Sequence, residues 1–144
     1  MLFLDVNICV HGIHPESSTQ AASVREWLIA ALNADEPVGV SEFVLSSMIR
    51  IATHGVVFDN PSTPHQSVEF ANLLLAAPAA VTVRPGQRHW GIFTALVEEQ
   101  RLRAKQVPDA YLAALAMERG ASFVTLDRGF GRFAGLRVLD PLAT

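Results

Sequence analysis

Four carboxylates stand where an acid can act on a phosphate ester. Asp5 follows the apolar run Met1 to Leu4, and Glu42 follows Val38-Gly39-Val40 and Ser41. Asp109 follows Pro108, and Asp127 closes Val124-Thr125-Leu126. Singly, each has an ordinary explanation, because Asp is a frequent helix cap and the helix dipole favours acids in a first turn. Gathered in one crevice they need another. Two unit charges ~5 Å apart repel by about 3 kcal/mol at an effective dielectric of 20, and four acids multiply that term. A hard divalent cation, Mg²⁺ or Mn²⁺, relieves the repulsion, since carboxylates and water are its preferred ligands. Such an ion polarises a phosphoryl oxygen and lowers the pKa of a water. The chemistry implied is phosphate-ester hydrolysis.

Positioning these acids requires strands alternating with helices. Short apolar runs at 1–4, 38–40, 81–84, 122–126 and 137–139 read as strands. One helix is expected from a Ser17 or Ser18 cap, with Val24, Trp27, Leu28 and Ala31 at helical spacing. A second starts at Ser41, carries Val44, Met48 and Ile51 on one face, and ends near His54-Gly55. Val56 to Pro64 reads as a loop, followed by a helix from about His65 to Ala76. Arg88 to Arg101 is helical with Trp90, Phe93, Thr94 and Val97 at core spacing. The last helix places Pro108 at its first position and Gly120 at its C-cap. Strands separated by helices imply crossovers, hence an α/β fold with a mainly parallel sheet covered on both faces. Ligands bind such sheets beyond the carboxyl ends of the strands. Asp5, Glu42 and Asp127 fall there, and Asp109 joins them if its helix starts on that rim.

The chain has 144 residues, about one domain's worth, half of them apolar. A single cysteine, Cys9, excludes an internal disulfide and any multi-cysteine metal site, and is expected to be a small buried hydrophobe. No apolar run is long enough for a membrane span, and Asp5 interrupts the first one, which argues against a signal peptide. A cytoplasmic location is expected. The net charge of −3 excludes binding of a polyanion by overall charge alone. Ten arginines and the lone Lys105 supply the cations, so a track for a phosphate polyanion would be local. Arg128, beside Asp127, is the preferred candidate, with Arg84, Arg88, Arg101 and Arg103 behind it.

In order and separation, four short motifs resemble the PIN-domain nucleases, specifically the toxin ribonucleases of bacterial VapBC toxin–antitoxin pairs. They are Asp5-Val6-Asn7, Ser41-Glu42, Pro108-Asp109 before a Leu- and Ala-rich helix, and Thr125-Leu126-Asp127-Arg128-Gly129-Phe130. The resemblance covers essentially the whole chain and implies a single PIN domain over 1–144. The implied fold is a three-layer α/β/α sandwich with a five-stranded, mainly parallel sheet. The implied activity is a Mg²⁺- or Mn²⁺-dependent endoribonuclease that cuts single-stranded or loop RNA, such as transfer or ribosomal RNA loops, with water as nucleophile. By carry-over, Asp5, Glu42, Asp109 and Asp127 form the acidic, metal-binding site, and Asn7 and Thr125 steady the carboxylates by hydrogen bonds. The implied partners are a VapB-type antitoxin and a second copy of the chain in a homodimer, with Phe43, Val44, Met48, Trp27 and Leu28 as a candidate partner patch. Many relatives carry a further acid where this chain has Gly129, so one or two metal ions remain open.

Other readings are less well supplied with residues. A haloacid-dehalogenase-like phosphatase needs a second Asp two residues after the first, where this chain has Asn7, and a lysine better placed than Lys105. An inactive PIN-like module binding RNA or a partner has no reason to retain a repulsive acid cluster. The His11/His14 spacing lacks the Cys pair or Glu of a zinc site, and Gly129, Gly131 and Gly135 do not form a dinucleotide fingerprint.

Overall fold

All five expected strands form, each only three residues long, in a computed structural model that describes residues 1–143. They are β1 (Leu2–Leu4), β2 (Val38–Val40), β3 (Ala80–Thr82), β4 (Ser122–Val124) and β5 (Arg137–Leu139). The strand expected at 81–84 starts one residue earlier and ends at Thr82, and the one expected at 122–126 stops at Val124. Every pairing is parallel, in the order β3-β2-β1-β4-β5, with Leu2 opposite both Val38 and Ser122. The described helices are α1 (Val6–Ile13), α2 (Thr19–Leu32), α3 (Glu42–Ala52), α4 (Pro64–Ala76), α5 (His89–Gln100) and α6 (Gln106–Arg119). No helix among the described residues is long and apolar enough to cross a membrane.

The strand order locates the crevice. From β1 the chain moves outward through β2 to β3, then crosses back to β4 and out to β5. With right-handed crossovers, α1 to α4 lie on one face of the sheet and α5 and α6 on the other. The direction reverses between β1 and β4, and the gap beyond their carboxyl ends is the place where such sheets bind ligands. Asp5 and Asp127 flank it. β1 and β2 are wholly buried, and in β4 Phe123 and Val124 are buried, as strands covered on both faces must be. Phe3 and Phe123 meet edge to face across the β1–β4 pair, and Phe130 tilts onto Phe123.

The expected caps hold at the serines. Ser18 accepts the Ala21 N–H at the start of α2, and Ser41 accepts the Phe43 N–H at the start of α3. The loop after α3 ends in a capping box at Thr63 and Gln66. Gly120 closes α6 with φ +63°, a conformation that needs no Cβ.

Three expectations change. The sequence reading contains no helix between β1 and Ser17, yet Val6 to Ile13 forms α1. Its Val, Ile, Cys, His and Gly residues are weak helix formers, so packing of Ile8, Cys9 and Val10 against the core makes the helix. A Cβ at Gly12 would lie 2.8 Å from Leu28 Cδ2, so glycine lets α1 lie close to α2. Pro108 is the third residue of α6 rather than the first, still within the turn whose N–H groups have no helical partner. Trp90 is 68 % exposed rather than core; His89 takes the buried place on α5, accompanied by Leu96. His89 can do so because its Nε2 has the Tyr111 carbonyl oxygen 3.0 Å away.

Candidate active site

Asp5 sits where β1 ends and α1 begins, and it is only 5 % exposed. Its Oδ1 accepts the Val6 N–H at 2.6 Å. Its Oδ2 accepts the Thr125 hydroxyl at 2.7 Å and Asn7 Nδ2 at 3.2 Å. Asn7 Nδ2 also lies 3.1 Å from Thr125 Oγ1, and Asn7 Oδ1 accepts the Leu126 N–H at 3.3 Å. Thr125 Oγ1 accepts the Asp127 N–H at 3.0 Å. Asn7 and Thr125 therefore tie the end of β1 to the end of β4, and both bond to Asp5.

Asp127 Oδ1 accepts the Gly129 N–H at 2.8 Å, which caps the 3₁₀ segment Arg128–Arg132. A Cβ at position 129 would lie 3.0 Å from that same oxygen, so the close approach suits glycine. Asp109 enters from the first turn of α6. The α6 N-terminus therefore does open onto the rim.

The electrostatics register this convergence. Burial pushes the Asp5 carboxyl up from 3.8 to about 6, against the bonds from Thr125 and Val6, and the charges of Asp109 and Asp127 add to the rise. Asp109 is also held above its ordinary value, first by burial and then by Asp127, with Arg132 and Lys105 opposing. Cys9, wholly buried, is pushed up to about 12 by burial and by Asp5, which makes it an inert thiol.

Asp5, Asn7, Asp109 and Asp127 line one cleft of about 520 Å³. Its walls are Val10 and His11 of α1, Phe43, Ser47, Arg50 and Ile51 of α3, and Leu112 of α6, with Lys105 and Phe130 completing it. Glu42 does not line it. That side chain is exposed on the neighbouring rim, where Arg84 Nη2 lies 3.4 Å from its Oε2.

The arginines named from the sequence also lie outside the cleft lining. Arg88 donates to the Glu118 carbonyl oxygen, while the Glu118 carboxylate accepts the Gly86 and Arg88 N–H groups and holds that loop. Arg101 terminates α5 in a left-handed conformation, and the Arg103 N–H donates to Gln106 Oε1. Arg128 is exposed at the start of the 3₁₀ segment. The cations that do line the cleft are Arg50 and Lys105. Arg50, Ser47 and His11 are absent from the sequence-based site. Phe43, Ser47, Arg50 and Ile51 share one helical face by spacing, but spacing does not say which face fronts a cleft. His11 lies on the helix the sequence did not announce.

Of the apolar residues expected to face a partner, Val44, Met48 and Leu28 are buried, whereas Phe43 is 42 % exposed and stacks on Tyr111.

The three cleft aspartates suit a hard divalent cation, since carboxylate oxygens are its preferred ligands. Among the described residues no three acidic, His or Cys side chains stand close enough to chelate one ion alone. Mg²⁺ is commonly held by one or two carboxylates and completes its shell with water and substrate phosphate, so the residues present fit it.

The PIN domain family model matches residues 2–136. The chain is 40 % identical over 142 residues to VapC ribonuclease Mb2897 of Mycobacterium bovis, covering 99 % of this chain and 96 % of that protein. It is 35 % identical over 144 residues to ribonuclease VapC31 of Mycobacterium tuberculosis, covering 98 % and 99 %. The fold matches a chain of VapBC2 from Rickettsia felis, solved bound to a DNA fragment from its promoter. The TM-score is 0.64 and the identity 20 %, over 96 % of this chain and 98 % of that one. A toxin–antitoxin complex from Klebsiella pneumoniae matches with TM-score 0.62 and 18 % identity, over 98 % of both chains. The chain belongs to the PIN-domain family, among its VapC ribonucleases.

Proposed function

We propose that this chain is the toxin of a type II toxin–antitoxin pair, acting in the cytoplasm as an endoribonuclease on single-stranded or loop RNA of transfer or ribosomal type. The whole chain, 1–144, acts as one PIN domain. The observation that carries this reading is the cleft at the β1–β4 switch point. There, Asp5, Asp109 and Asp127 arrive from three separate elements to line one cavity. Asp5, Asp109 and Asp127 would hold Mg²⁺ or Mn²⁺ together with water and the RNA phosphate. When bound, such an ion supplies Lewis acidity toward a phosphoryl oxygen and a water of lowered pKa.

The chain's own residues do the positioning. Val6 and Thr125 fix the two Asp5 oxygens, and Asn7 locks Thr125 and Leu126 behind them. The Gly129 N–H holds one Asp127 oxygen, and the other has no protein partner among the described residues. Lys105 and Arg132 favour the ionised form of Asp109. Glu42 is the fourth acid, at the rim. Its exposed pair with Arg84 is worth little, so RNA phosphate can take Arg84 and leave Glu42 to the site. Arg88, Arg101, Arg103 and Arg128 serve the approach of the polyanion from outside the cleft.

A VapB-type antitoxin and a second copy of this chain are the partners in this reading. The solved neighbours, one VapBC2 and the other described as a toxin–antitoxin complex, support the first of these. The test is cleavage of total bacterial RNA by antitoxin-free protein in Mg²⁺ or Mn²⁺, stopped by chelation. Asp5→Asn and Asp127→Asn should each abolish cutting. Full activity in both variants would end this reading, and hydrolysis of small phosphomonoesters with RNA intact would favour a phosphatase.

A further inference from the structure

The cleft holds more than hydrolysis needs. An ion and a water require oxygen ligands, yet the α1 and α3 side of the cleft also presents the apolar Val10, Phe43 and Ile51. Within that wall stand Ser47 and His11, both half-buried, neither with a hydrogen-bond partner among the described residues. A serine inside a helix can return its hydroxyl to a carbonyl one turn back, as Ser67 does here. Ser47 does not, so its hydroxyl is available to the cleft. Arg50, three residues on, is exposed and makes no ion pair among the described residues, whereas Arg84 is paired and Arg88 is tied to Glu118.

We propose that this wall is a base subsite: it takes one unpaired nucleobase of the RNA next to the scissile phosphate. Ser47 and His11 read the base edge, and Arg50 takes a flanking phosphate. The inference rests on the ribonuclease reading above and adds to it the means of choosing where to cut. A hydroxyl and an imidazole each both donate and accept, so they can discriminate base edges by the bonds each base leaves unmade. Phe43 lines the cleft and is backed by Tyr111 with ring centroids 5.0 Å apart, so it offers a base a fixed aromatic surface. The volume, about 520 Å³, lies in the range of small-ligand sites. A base held in a duplex must first be unpaired and unstacked to enter, which favours single strands and loops.

The test uses the full chain, with binding and cleavage read separately. Binding of a fluorescent single-stranded RNA 12-mer is titrated in chelator, where nothing is cut. Arg50→Ala should weaken it about two- to tenfold, the range of one lost hydrogen-bonded contact, and lower its salt dependence by about one phosphate contact. Cleavage ends are then sequenced from a randomised RNA pool in Mg²⁺. Wild type should show a base preference at one fixed position beside the cut, which Ser47→Ala and His11→Ala change and a cleft-filling Ser47→Trp removes. If Ser47→Trp fails to fold, the two alanine variants still decide. Identical end distributions in wild type and alanine variants, with Arg50→Ala binding unchanged, would overturn the subsite and leave the ribonuclease standing. A wild type that cuts no member of the pool would instead remove the ribonuclease reading, and the subsite with it.

Discussion

Replacing Asp5 by Asn should stabilise the metal-free protein while destroying its activity. The folded carboxyl titrates near 6 rather than 3.8, because burial and the charges of Asp109 and Asp127 outweigh the bonds from Thr125 and Val6. Between these two values the folded state binds more protons than the unfolded chain, so stability falls as pH rises through the window and the loss is complete above it. The full loss is about 3 kcal/mol. Asparagine carries no charge, but its amide nitrogen faces the Asn7 amide and a Thr125 hydroxyl that already accepts two N–H groups, a mismatch costing about 1 kcal/mol. The net gain is therefore about 1–2 kcal/mol at pH 7.5, or a rise in Tm of about 3–6 °C for a chain of this size. At pH 4.5 the gain should vanish or reverse. Thermal unfolding in chelator at both pH values measures it, with Mg²⁺ added in a second series. The ion should narrow the gap by stabilising the wild type alone. A variant no more stable than wild type at pH 7.5, or a gap that does not depend on pH, would refute the claim that Asp5 is strained by its surroundings.

Thr125→Val removes the donor to Asp5 and the acceptor for the Asp127 N–H. RNA cleavage should fall about 10–100-fold with the fold intact by circular dichroism. Glu42→Gln should lower cleavage, whereas its exposed pair with Arg84 makes Arg84→Ala change the unfolding midpoint by no more than about 1 kcal/mol in stability. Cys9, with its thiol pushed up to about 12, should resist an aromatic disulfide reagent at pH 8 until urea unfolds the chain. Gly39→Ala places a Cβ 2.7 Å from Val83 Cγ2 and 3.0 Å from the Leu2 carbonyl oxygen, inside a buried strand. Denaturant unfolding should show a loss of about 1–3 kcal/mol.

The strands, the serine caps of α2 and α3 and the Gly120 terminus were legible because each rests on local chemistry. A continuous apolar run, a hydroxyl before a helix and a residue free to adopt positive φ all act within a few positions. α1 was not legible. Its residues do not favour a helix, and the burial of Ile8 and Cys9 that makes one comes from distant elements. Trp90 shows the same limit in reverse, since its spacing on α5 suits a core but the buried face is turned one residue away, onto His89.

For the site, the identity of the acids and the oxygen-loving cation they imply follow from residue type alone, as does the role of strand ends in an α/β chain. Which acids share a cleft depends on the sheet order β3-β2-β1-β4-β5, which sets the ends of β1 and β4 side by side 120 residues apart in the Asp5–Thr125 bond. The same packing turned Glu42 outward to Arg84 and brought Ser47, Arg50 and His11 inward. A side chain's direction from a helix is set by how that helix rolls against its neighbours. That roll is settled by contacts made far along the chain, which no local pattern encodes.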